Sequence, residues 1–332
     1  MAPYELKDRL VIGVASSALF DLTASYQVFR EDGLAAYRVY QDAHLDVPLA
    51  PGVAFPFIKR LLGLNDLGTP EDPPVEVIIL SKNDPDTGLR VMRSIASHGL
   101  DITRAVFTQG RSPYAFMPAF TMSLFLSHDE DDVRRAVQMG LPAGHVLSSA
   151  PIDDVDDGAL RIAFDFDGVL ADDSAERISQ VEGLAAFHQH EFANRVSPQD
   201  PGPLRDLLVN ITKLQRLEAA RKLVDATYRT RVHVSIVTAR SAPSHERAVT
   251  TLKNWGVMVN DAFFLGGIDK GRVIEVLRPH IFFDDQTPQL QSTSRHAASV
   301  HVPYGVANEP VVPAAVAPAC LPVVPQVGAR PA

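Results

Sequence analysis

Short apolar runs rich in β-forming residues alternate with helical patterns along almost the whole sequence, and this alternation restricts the fold more than any other feature. The runs fall at 11–22, 75–80, 105–107, 123–126, 160–164, 232–237, 262–265, 280–283 and 299–302. Helical periodicity predicts helices over 86–98, 130–139, 176–194, 204–227, 244–255 and 270–277. Parallel strands need a crossover connection, and strands buried on both faces read as unbroken apolar runs, so the pattern predicts an α/β fold with parallel sheet and right-handed crossovers. From Ser174 to about Thr230 the rhythm breaks. That stretch is helical and polar apart from the Ser-Pro-Gln-Asp-Pro-Gly-Pro turn at 197–203, and it reads as a small helical cap inserted over the sheet's C-terminal edge. The chain of 332 residues divides into an α/β half over 1–150 and a second over 151–305 with the cap at 174–230. Residues 306–332 are Pro/Ala/Val-rich without a charge pattern, and are expected to be disordered.

The two halves resemble each other. Residues 104–127 align without a gap onto 261–284 at a shift of 157, and the same shift carries Leu-Ser-Lys-Asn (80–83) onto Val-Thr-Ala-Arg (237–240), Arg90 onto Arg247 and Gly99 onto Gly256. Leu-Phe-Asp-Leu-Thr (19–23) resembles Ala-Phe-Asp-Phe-Asp (163–167) at a shorter shift. The pattern is that of a degenerate duplication. It sets Thr23 against Asp167, Ser81 against Thr238, Pro113 against Lys270, and Ser127 and His128 against Asp284 and Asp285, so only the second half keeps the charges.

Those charges gather behind apolar runs. Four aspartates fall within nine residues of Asp-Phe-Asp-Gly-Val-Leu-Ala-Asp-Asp (165–173), directly after the run at 160–164. Thr238 and Arg240 follow another run, Lys270 begins a predicted helix, and Asp284 and Asp285 follow a third run. The C-terminal ends of parallel strands converge on one crevice. Three acidic positions and a lysine there suit Mg²⁺, which takes hard oxygen ligands, together with a phosphate ester. A carboxylate can also attack phosphorus and divide one difficult hydrolysis into two easier steps.

A net charge of −9 argues against a nucleic-acid polymer or an anionic membrane surface as partner. The single cysteine, Cys320, allows neither an internal disulfide nor a thiolate metal cluster. The first apolar run is too short to span a membrane and lacks a signal-peptide arrangement, so a cytoplasmic enzyme is expected.

This motif set resembles the haloacid dehalogenase-like (HAD) phosphohydrolase superfamily. The resemblance implies a Rossmannoid parallel sheet with a small helical cap, beside a related, degenerate α/β N-terminal half. It also implies Asp165 as nucleophile and metal ligand, and Asp167 as general acid and then base, grouped with the metal ligands. Thr238, Ala239 and Lys270 would hold the phosphoryl group, and Asp284 and Asp285 would hold Mg²⁺. Segments such as Ala-Leu-Phe-Asp-Leu-Thr-Ala-Ser (18–25), Leu-Ser-Lys-Asn-Asp-Pro-Asp-Thr-Gly (80–88) and Arg-Ile-Ala-Phe-Asp-Phe-Asp-Gly-Val (161–169) are similar to the cytosolic 5′-nucleotidase I family, over about 10–305. That likeness implies Mg²⁺-dependent hydrolysis of nucleoside 5′-monophosphates. Lys82, Asn83, Arg111 and Tyr114 would then contact the nucleoside across a crevice between the halves, and Arg240 would reach the phosphate. Two alternatives stay open: a HAD phosphatase or phosphotransferase for another small ester, and a nucleotide-binding module without turnover. A homo-oligomer is compatible with the sequence.

Overall fold

A computed structural model describes residues 4–149, 153 and 157–309. Its strands are β1 (Leu10–Val14), β2 (Val75–Ser81), β3 (Arg104–Phe107), β4 (Leu124–Ser127), β5 (Ala143–Val146), β6 (Leu160–Phe164), β7 (Val232–Thr238), β8 (Asp261–Phe264), β9 (Ile281–Asp284) and β10 (Ser299–His301). They form one sheet in the order β3-β2-β1-β4-β5-β10-β9-β6-β7-β8. Every neighbouring pair is parallel except β5 and β10, which meet antiparallel in the middle. The strand ends of the first half therefore point to one end of the sheet and those of the second half to the other.

Alternation along each strand divides the core between the two faces. Leu10, Ile12 and Val14 join a large cluster that runs through both halves and includes Ile162, Phe164 and Phe283. Val11 faces the other way, into a cluster with Ile78, Leu80 and Phe125 that α5 (Glu130–Gln138) covers through Val133 and Val137. In the second half, Ala163, Val237 and Phe282 pack likewise against Ile274 of α10 (Lys270–Leu277) and Leu290 of α11 (Thr287–Thr293). Each such side chain taken fully from water contributes roughly 1.5–3 kcal/mol before entropy is counted. The α/β parallel-sheet reading is what the chain adopts. Among the described residues no helix is long and apolar enough to cross a membrane.

Several boundaries differ from the sequence reading. The run at 11–22 is a strand only to Val14; Ser16–Leu19 then forms a helical turn. Strand β5, Ala-Gly-His-Val, has a single β-branched residue and escaped notice; pairing on both sides makes it a strand. The helical stretch at 174–230 is not all cap. α6 (Ser174–Glu182) and α7 (Leu184–Ala193) form a bent pair hinged at Gly183, where φ is +86°. By contrast α8 (Arg205–Val224) buries Leu207, Leu208, Ile211 and Leu214 in the large core, as a crossover helix does.

Nor is the bent pair peculiar to the second half. α2 (Thr23–Ala43) breaks at Gly33 (φ +79°), and Gly-Leu-Ala-Ala recurs at 33–36 and 183–186. That shift is 150, and β1 lies on β6 at the same shift. Ala15 and Ser17 are thus the counterparts of Asp165 and Asp167, and pairing Thr23 with Asp167 was wrong: a short apolar-Asp likeness had stood in for strand register. At the shift of 157 the pairs Ser81/Thr238 and Ser127/Asp284 do occupy matching strand ends. Most of the tail expected to be disordered, 310–332, lies outside the described residues. Its first residues are held: Val306–Asn308 forms a turn, Asn308 Nδ2 donates to the Asp285 carbonyl at 2.9 Å and Val306 N to Asp173 Oδ2 at 2.8 Å.

Candidate active site

Strand β6 ends at Phe164, and the chain turns through Asp165, Phe166 and Asp167 to Gly168. Gly168 has φ +72°, and a Cβ there would lie 2.6 Å from Asp285 Oδ2, so both the backbone angle and the space require glycine. Asp165 is 4% exposed, and its Oδ1 accepts from Phe166 N at 2.7 Å. Lys270, the first residue of α10, is buried behind the N-cap Asp269. Its Nζ lies 2.8 Å from Asp165 Oδ2 and 2.7 Å from Asp284 Oδ2. Asp284 closes β9 and Asp285 follows it, both fully buried.

This leaves three buried carboxylates around one ammonium, an excess of negative charge where water cannot screen it. Burial works against the charged form of Lys270, but Asp165 and Asp284 more than offset that, and its pKa is raised. Burial, opposed by Lys270 and reinforced by Asp284, pushes Asp165 up to about 7. Burial together with Asp165 and Asp284 drives Asp285 well above the carboxylate range. Neither carboxylate oxygen of Asp285 has a hydrogen-bond partner among the described residues. Asp165, Asp284 and Asp285 each offer an oxygen within 4.8 Å of the others. Hard oxygen donors, surplus charge and orphaned oxygens together fit a small divalent cation.

Sequence reasoning missed Glu176, on α6. Its Oε1 accepts from Gln286 Nε2 at 2.8 Å, while Oε2 is buried without a partner among the described residues. Burial, then the charge of Asp167, raises its pKa. The chain around it, Asp-Asp-Ser-Ala-Glu (172–176), held no motif to mark it beyond acidity.

Asp167 belongs to a different arrangement. Arg240 grips it with Nε to Oδ2 at 2.7 Å and Nη2 to Oδ1 at 2.6 Å, and Gln199 Nε2 adds a bond at 3.3 Å. Among the described residues, the clustered side-chain carboxylates that could hold a metal are Asp165, Asp284 and Asp285, and Asp167, expected with them, is not in that cluster. Arg240 in turn bonds Glu191 on α7, the Ser244 carbonyl and Gln199 Oε1, which occupies all five of its N–H donors. It has none left for a phosphate, correcting the role expected for it. Arg247 holds the other oxygen of Glu191 at 2.7 Å, so the bent cap is tied to Asp167 through buried ion pairs. Arg240→Met should cost about 3–5 kcal/mol in a urea unfolding measurement, because Asp167 and Glu191 would lose their shared partner inside the protein.

Thr238 ends β7 beside β6, buried, with Oγ1 accepting from Arg240 N at 3.2 Å; Ala239 after it is exposed. The other four expected contacts lie elsewhere. Lys82 and Asn83 follow β2, and Arg111 and Tyr114 follow β3, so the antiparallel seam sends them to the opposite end of the sheet from Asp165. Lys82 is occupied by Asp129 at 2.6 Å and Asp132 at 2.9 Å. The first half does not wall the crevice above Asp165, and these residues cannot read a nucleoside bound there.

Residues 2–309 match the family model described as 5′-nucleotidase. The chain belongs to the 5′-nucleotidase family. It is 31% identical over 298 residues to human cytosolic 5′-nucleotidase 1B, a match covering 88% of this chain and 48% of that protein. The chain thus spans about half the length of that curated relative. No solved structure matches it. Both halves fall within the family match, so the family includes the half that lacks the carboxylate–lysine cluster as well as the half that holds it.

Proposed function

We propose that this chain is a Mg²⁺-dependent phosphomonoester hydrolase that releases phosphate from nucleoside 5′-monophosphates. The observation that supports this best is the buried group of three carboxylates around Lys270, in a chain of the 5′-nucleotidase family. Asp165, Asp284 and Asp285 would hold Mg²⁺, which when bound neutralises charge on the phosphoryl oxygens. An oxygen of Asp165 attacks phosphorus while the bond to the ester oxygen breaks, giving an aspartyl-phosphate. Asp167 supplies the proton that the departing nucleoside oxygen needs. It then takes a proton from the water that attacks the aspartyl-phosphate, which releases phosphate and restores Asp165. Lys270, Thr238 and the backbone at Ala239 stabilise the phosphoryl oxygens through both steps. Arg240 orients Asp167 for both steps through its two hydrogen bonds.

Phosphate release from a panel of esters tests this reading. Nucleoside 5′-monophosphates should exceed 3′-monophosphates and sugar phosphates by at least about tenfold in kcat/KM, a margin that remote binding energy readily supplies. Sugar phosphates turned over as well would favour a general phosphatase. No release from any ester in the presence of Mg²⁺ would leave only a binding module.

A further inference from the structure

The first half retains a large cleft where the second half has its carboxylate cluster. It lies at the C-terminal ends of β1, β2, β4 and β5, and its volume is about 1130 Å³, ample for a ligand of nucleoside size. Every position that would serve phosphate chemistry has changed: Ala15 and Ser17 stand for the two aspartates of the motif, Pro113 for Lys270, and Ser127 and His128 for Asp284 and Asp285. A relic would be expected to fill in, since an unused void forfeits packing. This one has stayed open.

Its lining favours one kind of ligand. Tyr26, Phe29 and Tyr37, all on the bent helix α2, form a contiguous aromatic wall, with ring centroids 6.1 Å apart for the first pair and 5.7 Å for the second. Opposite in character, Asn83 and Ser149 are among the lining residues, and their Nδ2 and Oγ are buried with no partner among the described residues. Such groups cost stability unless something bonds them. The charge balance then decides the class. Asp21, Asp84 and the acidic run 129–132 put six carboxylates on the lining against Arg30 and Lys82; Arg38, 2.6 Å from Asp84, and Arg134, 2.8 Å from Glu130, add two cations from outside the lining and leave a net of two negative charges. Lys82 is already paired with Asp129 and Asp132. The lining histidines, His128 and His145, have their pKa lowered, chiefly by burial, and add no charge. A phosphate dianion would be repelled. A neutral planar heterocycle carrying amino and hydroxyl donors would stack on the aromatic wall and give its donors to the carboxylates.

We infer that this cleft is a second binding site, for the uncharged nucleoside rather than the nucleotide. The choice of a nucleoside rests on the proposed function, since that reaction yields one from each turnover. The cleft lies at the opposite end of the sheet from the carboxylate cluster, but the seam links the two. His145 on its lining pairs across the seam with His301, whose Nε2 is 3.1 Å from the Asp285 carbonyl oxygen. Occupancy can therefore be felt at the carboxylate cluster through one cross-strand pair.

Isothermal titration of the full, metal-free chain with adenosine tests the inference. One adenosine should bind per chain, and Asn83→Leu or Tyr26→Ala should weaken it at least tenfold, whereas Asp165→Asn should not change it. Tyr26 is more than half exposed, so its substitution should leave both the fold and phosphate release intact. On the Asp165→Asn chain without metal, adenosine 5′-monophosphate should bind at least tenfold more weakly than adenosine. Adenosine binding that is absent, or that follows Asp165→Asn and ignores Asn83→Leu and Tyr26→Ala, would overturn the site. Tighter binding of the monophosphate would overturn the ligand class. Because the titration needs no turnover, it stands apart from the ester panel: a chain that hydrolyses nucleotides but fails here loses only this inference.

Discussion

Asp165→Asn should lower kcat by roughly four orders of magnitude or more, as expected when a covalent nucleophile is removed, and should leave the fold in place. The second half of that expectation follows from the geometry. Lys270 keeps Asp284 at 2.7 Å, so its ammonium does not become an unpaired buried charge. Removing one of three clustered carboxylates also relieves repulsion in the metal-free chain. Melting followed by circular dichroism should therefore place the variant within a few degrees of the parent. Turnover within about tenfold of the parent would exclude Asp165 as nucleophile, because a lost covalent step cannot be so mild.

Removal of divalent metal should be nearly as severe, with phosphate release falling about a thousandfold in excess chelator and returning with Mg²⁺. Stability should report the same site, with a defined pH dependence. Asp165 is raised to about 7 in the folded chain, against about 3.9 for an unfolded aspartate. A carboxyl raised in this way stabilises the metal-free fold fully below about pH 4, and that contribution is lost as pH rises through about 7. A bound cation removes the penalty by replacing the proton. The gain in Tm on adding saturating Mg²⁺, measured by scanning calorimetry, should thus be larger at pH 8 than at pH 5.5. A gain of about 2.7 kcal/mol is expected at a hundred times Kd. Equal gains at both pH values would mean that the buried carboxylates are not the ligands.

Reading the sequence located the Asp165, Lys270, Asp284 and Asp285 cluster because each of these residues sits at the end of an apolar run or the start of an amphipathic one. In a parallel sheet such positions have nowhere to go but the crevice. What it misjudged depended on strand direction, which no local pattern carries. The four contacts expected from the first half, Lys82, Asn83, Arg111 and Tyr114, failed because Ala143–Val146 was not seen as a strand, and that strand reverses the sheet. Arg240 was placed near the phosphate by proximity to Thr238 in the chain, but Glu191 sits 49 residues away, and only the folded cap brings it to claim the guanidinium. The Gly-Leu-Ala-Ala repeat was legible throughout and would have set the correct shift of 150 for the first motif.

The antiparallel seam has a consequence for the origin of this arrangement. His145 pairs with His301, and each is followed by valine at the same point of its half, in Gly-His-Val and Val-His-Val. A residue that faces its own counterpart marks a two-fold axis, so β5 and β10 meet as the edges of two identical subunits would in an isologous dimer. Two half-length chains pairing in this way would carry every substitution twice, once in each active site. Joining them end to end removes that constraint: one copy can keep its carboxylates and the other surrender them, while the stoichiometry of the two sites stays fixed at one to one.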